Sequence, residues 1–554
     1  MYQSRRSNVL SVGGMVASSQ PLASKIGSEI LARGGNAADA AVATAAALAV
    51  TEPCSTGIGG DAFCLFYDAK TKTVKALNAS GRCPQNLSIP KLRALGVTGD
   101  SLPNTSPHSV TVPGAAAGWV DTVSLFGSGN LSLGQILEPA AKLADNGFPV
   151  SELAAFFWKR GEQRIIDASP NGHEMLRHGK EAPKFGEIIT LKNYAKTIRA
   201  VATHGKPGFY EGRVAKSIVS TLGALGNVMT LEDLKSHTST QVEPISIVYQ
   251  NALRIHECPP NGQGIIALMA FGILDALQES GNKEFLKNGV NSVEYLHTLI
   301  EVLRLSFADA KYYVTDPEKV HVPVKEMLSQ EYLESRAKLI NPHKATVSVK
   351  HGSPANSSDT VYFSVVDKDG NACSFINSNY EGFGSAIVPK GCGFVLQNRG
   401  SNFNLDENHP NSLQGGKRPY HTIIPAMVTH LDGSLHSSYG VMGGFMQPQG
   451  HVQVLLNQHH FGMSPQEALD TPRFCIYPEK DGKSIVQIEN GISETVVAGL
   501  RKLGHEVEVV TGWQRAAFGR GQIILMKKDG ESPSGHVLVG GSDPRSDGSV
   551  MAQF

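Results

Sequence analysis

The threonine at position 360 stands where a polar, turn-rich stretch changes into an alternating strand, Val361–Asp367. A turn around Gly370 and a second strand, Ala372–Ile376, follow it. If the bond between Asp359 and Thr360 were cut, the threonine would carry a free α-amine beside its own hydroxyl. Such an amine has a reference pKa of ~7.7–8.0, so part of it is unprotonated near neutral pH. A threonine hydroxyl beside an N-terminal amine is an activated nucleophile, which makes Thr360 a candidate for amide chemistry.

Because any threonine can begin a strand, a catalytic role for Thr360 also depends on the loops downstream. Hydroxyl, amide and glycine residues cluster at four predicted strand ends, at 377–385, 396–403, 417–425 and 439–445. Loops of this kind at one edge of a sheet can form a pocket. The backbone N–H groups of Gly443-Gly444 are suited to face a developing oxyanion, and losing one such donor costs roughly 2.7–4 kcal/mol in other enzymes.

The composition favours a large globular enzyme. The 554 residues are 41% hydrophobic and 18% charged, and 50 Lys+Arg balance 50 Asp+Glu, so no net field points to nucleic acid or to an anionic membrane. Seven dispersed cysteines without a CxxC pair predict free thiols. The apolar segment Ala37 to Val50 is too short to span a membrane, and no signal peptide is evident. These features predict a cytoplasmic protein.

The pattern along the chain predicts layers of helices and strands. Pro21 to Arg33 has a helical rhythm that Gly34-Gly35 stops, and Asn36 can cap the alanine-rich helix that follows. The glycine-rich bend from Ser55 to Phe63 lacks the context of a phosphate loop and indicates close backbone approach instead. Residues 131–344 read as mainly helical, 345–359 as an exposed linker, and the remainder as strands and turns. We therefore expect one α/β body built from two segments, 1–359 and 360–554.

The order of these motifs resembles the γ-glutamyltranspeptidases, or glutathione hydrolases, of the N-terminal-nucleophile hydrolase superfamily. The matching segments are Gly34–Ala41, Gly59-Gly60, Val112–Gly114, Leu137–Ala140, Gly147–Val150, Pro259-Pro260, the Thr360 strand, Lys417–Pro419 and Gly443-Gly444. The resemblance implies an α/β (α+β) fold, a four-layer αββα sandwich. It also implies a proenzyme that cuts itself between Asp359 and Thr360 into two subunits that stay intertwined.

The resemblance assigns the catalytic roles. Thr360 is the nucleophile for both self-cleavage and acyl transfer, and its freed amine is the general base. Ser378 falls where the family has a second threonine that contacts that amine, and Gly443 and Gly444 fall on the oxyanion hole. The implied reaction is attack on an amide, formation of an acyl-enzyme, and release to water or to an amine.

The substrate pocket departs from the family. Ser80 stands where an arginine holds the α-carboxylate of the donor, and Arg82 is the candidate substitute. The positions that hold the α-ammonium align with Arg399 and Asn402. Three further substrate positions are Tyr380, His421 and Thr422, and the segment from Phe403 to Lys417 is shorter than the family's lid loop.

The positive charge of Arg399 changes which substrates the pocket is expected to favour. At 4 Å and an effective dielectric of ~20, a charge pair is worth about 4 kcal/mol before screening, so an ammonium is repelled where a carboxylate side chain would attract it. The leading prediction is an autoprocessing amidohydrolase for γ-glutamyl amides such as glutathione, with hydrolysis favoured over transfer. The alternatives are a cephalosporin-acylase-like enzyme for anionic, glutaryl-type acyl groups and, from another class, an inactive binding scaffold.

The remaining predictions concern ligands and partners. No cofactor motif or metal-ligand spacing stands out, since His459-His460 are adjacent on a predicted helix and point apart. The expected partners are a small amide substrate and the two cleavage products bound to each other. A higher homo-oligomer is left open, and neither nucleic acid nor a membrane is expected.

Overall fold

A computed structural model of the chain describes residues 6–346, 359–478 and 484–554. Most of the predicted linker over 345–359 lies outside these residues. The strands are β1 (Val9–Ser11), β2 (Met15–Ser18), β3 (Asp61–Asp68), β4 (Thr73–Ala79), β5 (Phe148–Pro149), β6 (Ile188–Ile189), β7 (Thr240–Val242), β8 (Ile245–Tyr249), β9 (Leu253–Glu257), β10 (Asp359–Val366), β11 (Ala372–Tyr380), β12 (Ala426–His430), β13 (Leu435–Met442), β14 (Phe474–Pro478), β15 (Ser484–Glu489), β16 (Glu506–Val510), β17 (Arg520–Lys528), β18 (His536–Ser542) and β19 (Ser549–Ala552).

Helices occupy about half of the first segment and a smaller share of the second. They are α1 (Pro21–Ala32), α2 (Ala37–Thr51), α3 (Ile89–Ala94), α4 (Ala115–Phe126), α5 (Leu133–Asn146), α6 (Glu152–Ala168), α7 (Lys192–His204), α8 (Pro207–Tyr210), α9 (Gly212–Ala224), α10 (Leu231–Lys235), α11 (Gly264–Glu279), α12 (Glu284–Lys287), α13 (Val293–Tyr313), α14 (Val324–Met327), α15 (Gln330–Ala337), α16 (Met446–Phe461), α17 (Pro465–Asp470) and α18 (Glu494–Lys502). Short 3-10 turns lie at Pro107–Ser109, Gly172–Met175, Arg399–Asn402 and Gly512–Phe518.

Two large sheets form the centre of the molecule. In the described residues each has seven strands, in the orders β19-β2-β10-β11-β3-β4-β7 and β1-β18-β17-β13-β12-β9-β8. Their facing sides share a buried apolar layer that includes Met15, Phe63, Tyr362, Met427 and Ile524. The two sheets therefore pack face to face.

A helical layer covers the outer face of each sheet. One apolar core joins α1, α2, α4 and α5 to the sheet that contains β10, and Trp119 is fully buried in it. A second core joins α11, α13 and α16 to the sheet that contains β13. The layer order is helix, sheet, sheet, helix, which confirms the predicted αββα sandwich.

Helix α2 shows why the alanine-rich segment is buried rather than membrane-spanning. All fifteen of its residues are buried. Asn36 accepts hydrogen bonds from the N–H groups of Ala38 and Asp39, which confirms the predicted cap. A Cβ at Gly27 of α1 would lie 2.2 Å from the Thr44 hydroxyl, so only glycine permits this approach of the two helices. No helix in the described part of the chain is long and apolar enough to cross a membrane.

The prediction that residues 131–344 are mainly helical is wrong for one stretch. Residues 240–257 form β7, β8 and β9, and β9 pairs with β12 while β7 pairs with β4. The sequence Ile245–Tyr249 is short and half-buried at a sheet edge, where β-branched side chains are favoured. Such a short run between helices carries little periodic signal.

The β10–β11 hairpin lies inside its sheet rather than at an edge. β10 pairs with β2 on one side, and β11 pairs with β3 on the other. Both sheets combine strands from before and after the Asp359–Thr360 bond. Thr360 therefore lies at the start of an interior strand, where neighbouring strands fix its position.

Candidate active site

Thr360 is buried next to an irregularity between β10 and β11. Asp359 is paired with Tyr380 and Val361 with Asn377, so β11 has one extra residue opposite Thr360. This bulge brings the Thr360 Oγ1 atom to 3.1 Å from Ser378 Oγ. The two hydroxyls predicted to act together are thus in hydrogen-bonding contact.

The glycine-rich bend before β3 makes room for Ser378. A Cβ at Gly59 would lie 2.2 Å from the carbonyl oxygen of Val395, and a Cβ at Gly60 would lie 2.2 Å from that of Ser378. These distances confirm the prediction of close backbone approach. Glycine is required here because any side chain would push the bend away from the strand that carries Ser378.

Tyr380 adopts a left-handed backbone conformation with φ of +79°. For a residue with a large side chain, such a conformation costs about 1–3 kcal/mol and must be held by its surroundings. The N–H group of Tyr380 donates to Ser378 Oγ at 2.8 Å, and its ring lies 4.3 Å below the Arg399 guanidinium. The strained residue therefore links Ser378 to Arg399.

Arg399 is fully buried, and its guanidinium lies two hydrogen bonds from the Thr360 hydroxyl. Its Nη1 donates to Thr422 Oγ1 at 2.6 Å and its Nη2 to Ser378 Oγ at 3.3 Å. Burial lowers the pKa of Arg399 to about 10, which leaves it charged at neutral pH. Among the described residues no carboxylate forms an ion pair with it, and its Nε has no hydrogen-bond partner.

His421 is held as a neutral imidazole. Its Nε2 lies 3.0 Å from Asp61 Oδ2, and its Nδ1 accepts from the Ile423 N–H group. Burial, followed by the charge of Arg399, lowers the pKa of His421 to about 3, so its Nε2 carries the proton that it shares with Asp61. The other oxygen of Asp61 accepts from two main-chain N–H groups and from a glutamine amide; these donors belong to Gly81, Gly114 and Gln397.

Gly443 and Gly444 form the turn between β13 and α16. Their φ angles are +131° and +57°, values that favour glycine. Gln263 donates through Nε2 to the carbonyl oxygens of Gly444 and of Thr422, at 2.9 and 2.7 Å. The glutamine thus joins the glycine turn to the segment that contacts Arg399.

Two predicted substrate residues lie away from this cluster. Arg82 donates to Glu318 at 2.9 Å and shares that carboxylate with Arg418, so in the described residues it has no contact with Thr360 or Ser378. Asn402 donates to the main-chain oxygen of Tyr420 at 3.1 Å and lines a cavity whose wall does not include Thr360 or Ser378. The structure brings together Thr360, Ser378, Tyr380, Arg399, His421 and Thr422, with Gly443-Gly444 attached through Gln263.

Sequence reasoning missed a second arginine at the nucleophile. Arg520 Nη2 donates to the main-chain oxygen of Thr360 at 3.4 Å, and its Nη1 lies 3.2 Å from Glu52 Oε1. Glu52 in turn accepts from Ser19 and Gln20. The only sequence signal was one charged residue at the start of an apolar strand. Asp61 was missed in the same way.

One cluster in the described residues has the composition of a metal site. His297, Glu301 and His505 are buried together on and near α13. The two imidazoles lie 2.7 Å apart in a hydrogen bond, and Arg304 Nη1 donates to Glu301 at 2.9 Å and lies 3.3 Å from His505 Nδ1. The guanidinium supplies the positive charge that a cation would bring, so these residues fit a hydrogen-bonded relay better than a metal.

Known proteins resemble the chain over its whole length. The gamma-glutamyltranspeptidase family matches residues 23–553. The glutathione hydrolase-like YwrD proenzyme of Bacillus subtilis is 37% identical over 98% of this chain and 99% of its own. The oxamate amidohydrolase proenzyme of Klebsiella pneumoniae is 32% identical over 98% and 99%. The crystal structure of cephalosporin acylase from Bacillus halodurans superposes with a TM-score of 0.90 at 41% identity, covering 100% of this chain and 98% of that one.

Proposed function

The chain belongs to the gamma-glutamyltranspeptidase family, and from that premise we propose that it is an autoprocessing threonine amidohydrolase for acyl groups that carry a carboxylate. The observation that carries the proposal is the buried, charged Arg399 two hydrogen bonds from Thr360, with no carboxylate partner among the described residues.

The first step is cleavage of the chain's own backbone. The Thr360 hydroxyl attacks the carbonyl carbon of Asp359, and the acyl group moves from the Thr360 nitrogen to its oxygen. The C–N bond breaks in this shift, and the hydroxyl proton goes to the nitrogen, so the Thr360 amine is freed. Water then hydrolyses the ester, which restores the Thr360 hydroxyl and leaves a carboxylate on Asp359. Ser378 lies at 3.1 Å and orients the attacking hydroxyl. The products are the segments 1–359 and 360–554, which we propose remain bound as a heterodimer.

The second step repeats this chemistry on a substrate amide. The freed amine takes the proton of the Thr360 hydroxyl, and the oxygen attacks the amide carbon. The developing oxyanion faces the N–H groups of the Gly443-Gly444 turn. The leaving amine takes the proton, and water then hydrolyses the acyl-enzyme.

Arg399 determines which charge on the acyl group is preferred. A buried charge without a counter-ion is costly, and an entering carboxylate reduces that cost. An ammonium near the same place adds a like charge. The pocket therefore favours an acyl group with a carboxylate and no ammonium, and the oxamate amidohydrolase relative is named for an amide that carries a carboxylate.

A γ-glutamyl compound such as glutathione is the second candidate. The relative named glutathione hydrolase-like supports it, and the glutamyl group also carries a carboxylate. Its ammonium is the difference between the candidates. Asn402, a neutral residue, is the nearest predicted partner for that ammonium.

The test begins with gel electrophoresis of the purified protein. Wild type is expected to give two bands, and Thr360→Ala a single band at the full 59.1 kDa. Wild type and Arg399→Asp are then compared on glutaryl and γ-glutamyl p-nitroanilides, with Arg254→Asp at an exposed position as the control.

We expect Arg399→Asp to lower glutaryl turnover at least tenfold relative to γ-glutamyl turnover. An unchanged ratio would remove Arg399 from the specificity. A full-length wild-type band with no turnover of either anilide would sink the enzyme proposal and favour the binding scaffold.

A further inference from the structure

A cavity of about 210 Å³ adjoins the segments that carry the proposed site residues. Its lining includes Asn402, Tyr420 and Phe445. Asn402 ends the 3-10 turn that Arg399 begins, Tyr420 precedes His421-Thr422, and Phe445 follows Gly443-Gly444. Three separate site segments thus meet at one cavity wall. Since a liquid water occupies about 30 Å³, the cavity has room for a small acyl group.

A lysine, Lys311, also lines this cavity. Lys311 lies one helical turn after Phe307 on α13, and both side chains line the cavity. Burial alone lowers the pKa of the Lys311 ammonium, with no acidic neighbour acting against it. Asp100 also lines the cavity but forms no ion pair with Lys311 within the described chain.

The remaining wall is aromatic and amide in character. Tyr420 and Phe445 stack with ring centres 6.2 Å apart, and Phe307 meets Phe445 edge-on at 6.4 Å. Aromatic walls with a few polar or charged groups match the general form of small-molecule pockets. Methylene groups would pack on the rings, and one charged end would meet the ammonium.

Arg399 and Lys311 are available to a ligand to different degrees. Both terminal nitrogens of Arg399 already donate to protein hydroxyls, to Thr422 and Ser378. Lys311 has no such hydrogen bond to another part of the described structure. Arg399 therefore provides positive potential beside the nucleophile, while the Lys311 ammonium has its donors available to a ligand in the cavity.

We propose that this cavity is the acyl subsite and that Lys311 binds the terminal carboxylate of a dicarboxylic acyl group of about five carbons. The proposal rests on the proposed amidohydrolase function and narrows its substrate class. Under this proposal the carbonyl of a glutaryl group lies at Thr360, its methylene groups pack on the aromatic rings, and its carboxylate meets Lys311.

The test compares two acyl groups of equal carbon count, glutaryl and pentanoyl p-nitroanilide, with wild type, Lys311→Gln and Lys311→Arg. Lys216→Gln, at an exposed position of α9, is the control. We expect Lys311→Gln to raise KM for the glutaryl compound about tenfold and to leave pentanoyl turnover unchanged, with Lys311→Arg close to wild type. Equal effects on the two compounds, or no effect, would overturn the role of Lys311.

A binding measurement separates this proposal from the reaction itself. Calorimetry with free glutarate and pentanoate on Thr360→Ala needs no turnover. Glutarate is expected to bind about tenfold more weakly when Lys311→Gln is added. Equal glutarate affinity with and without Lys311 would overturn the subsite. Loss of turnover of both anilides by wild type, with Lys311-dependent glutarate binding intact, would overturn the proposed reaction alone.

Discussion

Two buried arginines approach Thr360 from different directions, and only one has a carboxylate partner. Arg520 donates to the Thr360 carbonyl and pairs with Glu52 at 3.2 Å. Arg399 reaches Thr360 through Ser378, and its partners are hydroxyls and the ring of Tyr380. Both arginines have nearly the same exposure, 3% and 0%. Burial therefore does not explain why one is neutralised and the other is not.

The two arginines differ in whether the protein itself supplies a counter-ion. The protein supplies the counter-ion of Arg520, so removing that arginine strands a buried carboxylate. Arg399 has no such partner among the described residues, and under the proposed function the substrate brings its counter-ion. Asp61 and Glu381 act on the charge of Arg399 without forming an ion pair with it, and the neutral His421 lies beside Asp61.

The largest expected effect concerns Arg520, the arginine that is paired with a carboxylate. In a Thr360→Ala background, which keeps one covalent chain, Arg520→Met should lower the free energy of unfolding by about 3 kcal/mol because Glu52 stays buried without its cation. Urea denaturation measures this. Adding Glu52→Gln should restore part of the loss. If the single and the double variant are equally unstable, the ion pair is not the cause.

Replacing Arg399, which has no carboxylate partner among the described residues, should affect activity more than stability. In the same background Arg399→Met is expected to change the free energy of unfolding by no more than about 1 kcal/mol, since no carboxylate is stranded. With Thr360 restored, kcat/KM for the glutaryl anilide should fall at least tenfold, about 1.4 kcal/mol. A stability loss as large as that of Arg520→Met would erase the distinction between the two arginines.

A third buried cation, Lys417, has main-chain oxygens rather than a carboxylate as its partners. Its ammonium donates to the carbonyl oxygens of Pro410 and Ser412, and burial lowers its pKa to about 8 against an ordinary 10.5. Between these pH values the unfolded chain binds more protons, so stability should rise with pH. We expect wild type to gain about 1 kcal/mol on Lys417→Gln from pH 8 to pH 9. A constant difference between their urea midpoints would contradict this.

The smallest expected effect concerns the base. The charge of Arg399 disfavours a second positive charge nearby, so it lowers the pKa of the freed Thr360 amine. Arg399→Gln should move the acidic limb of kcat/KM to higher pH, by about half a unit. The pair variant Glu52→Gln with Arg520→Met removes no net charge and should leave that limb in place. Equal shifts in both variants would mean that net charge is not the controlling quantity.

Local signals predicted much of the fold. The stop at Gly34-Gly35, the cap at Asn36 and the helix Leu133–Asn146 were all readable, because turn chemistry and helical periodicity act over a few residues. The strand that begins at Thr360 was readable for the same reason. The short strands β7 to β9 were not, since a five-residue edge strand looks much like a loop between helices.

The candidate site was likewise predictable only in part. The cluster around Arg399 came from a family resemblance that fixes positions along the chain, whereas its contacts with Thr422 and Tyr380 needed coordinates. Glu52 and Arg520 are separated by 468 residues and meet only through the sheet order. Asp61 reads as one carboxylate in an apolar segment, and only the structure shows its four donors.

The position of the β10–β11 hairpin limits how such a molecule can be made. Both sheets contain strands from before and from after residue 360 that pair with each other, so either piece alone would leave strand edges with unpaired main-chain groups. Under the proposed self-cleavage, the intact polypeptide is therefore expected to fold before the bond between Asp359 and Thr360 is cut.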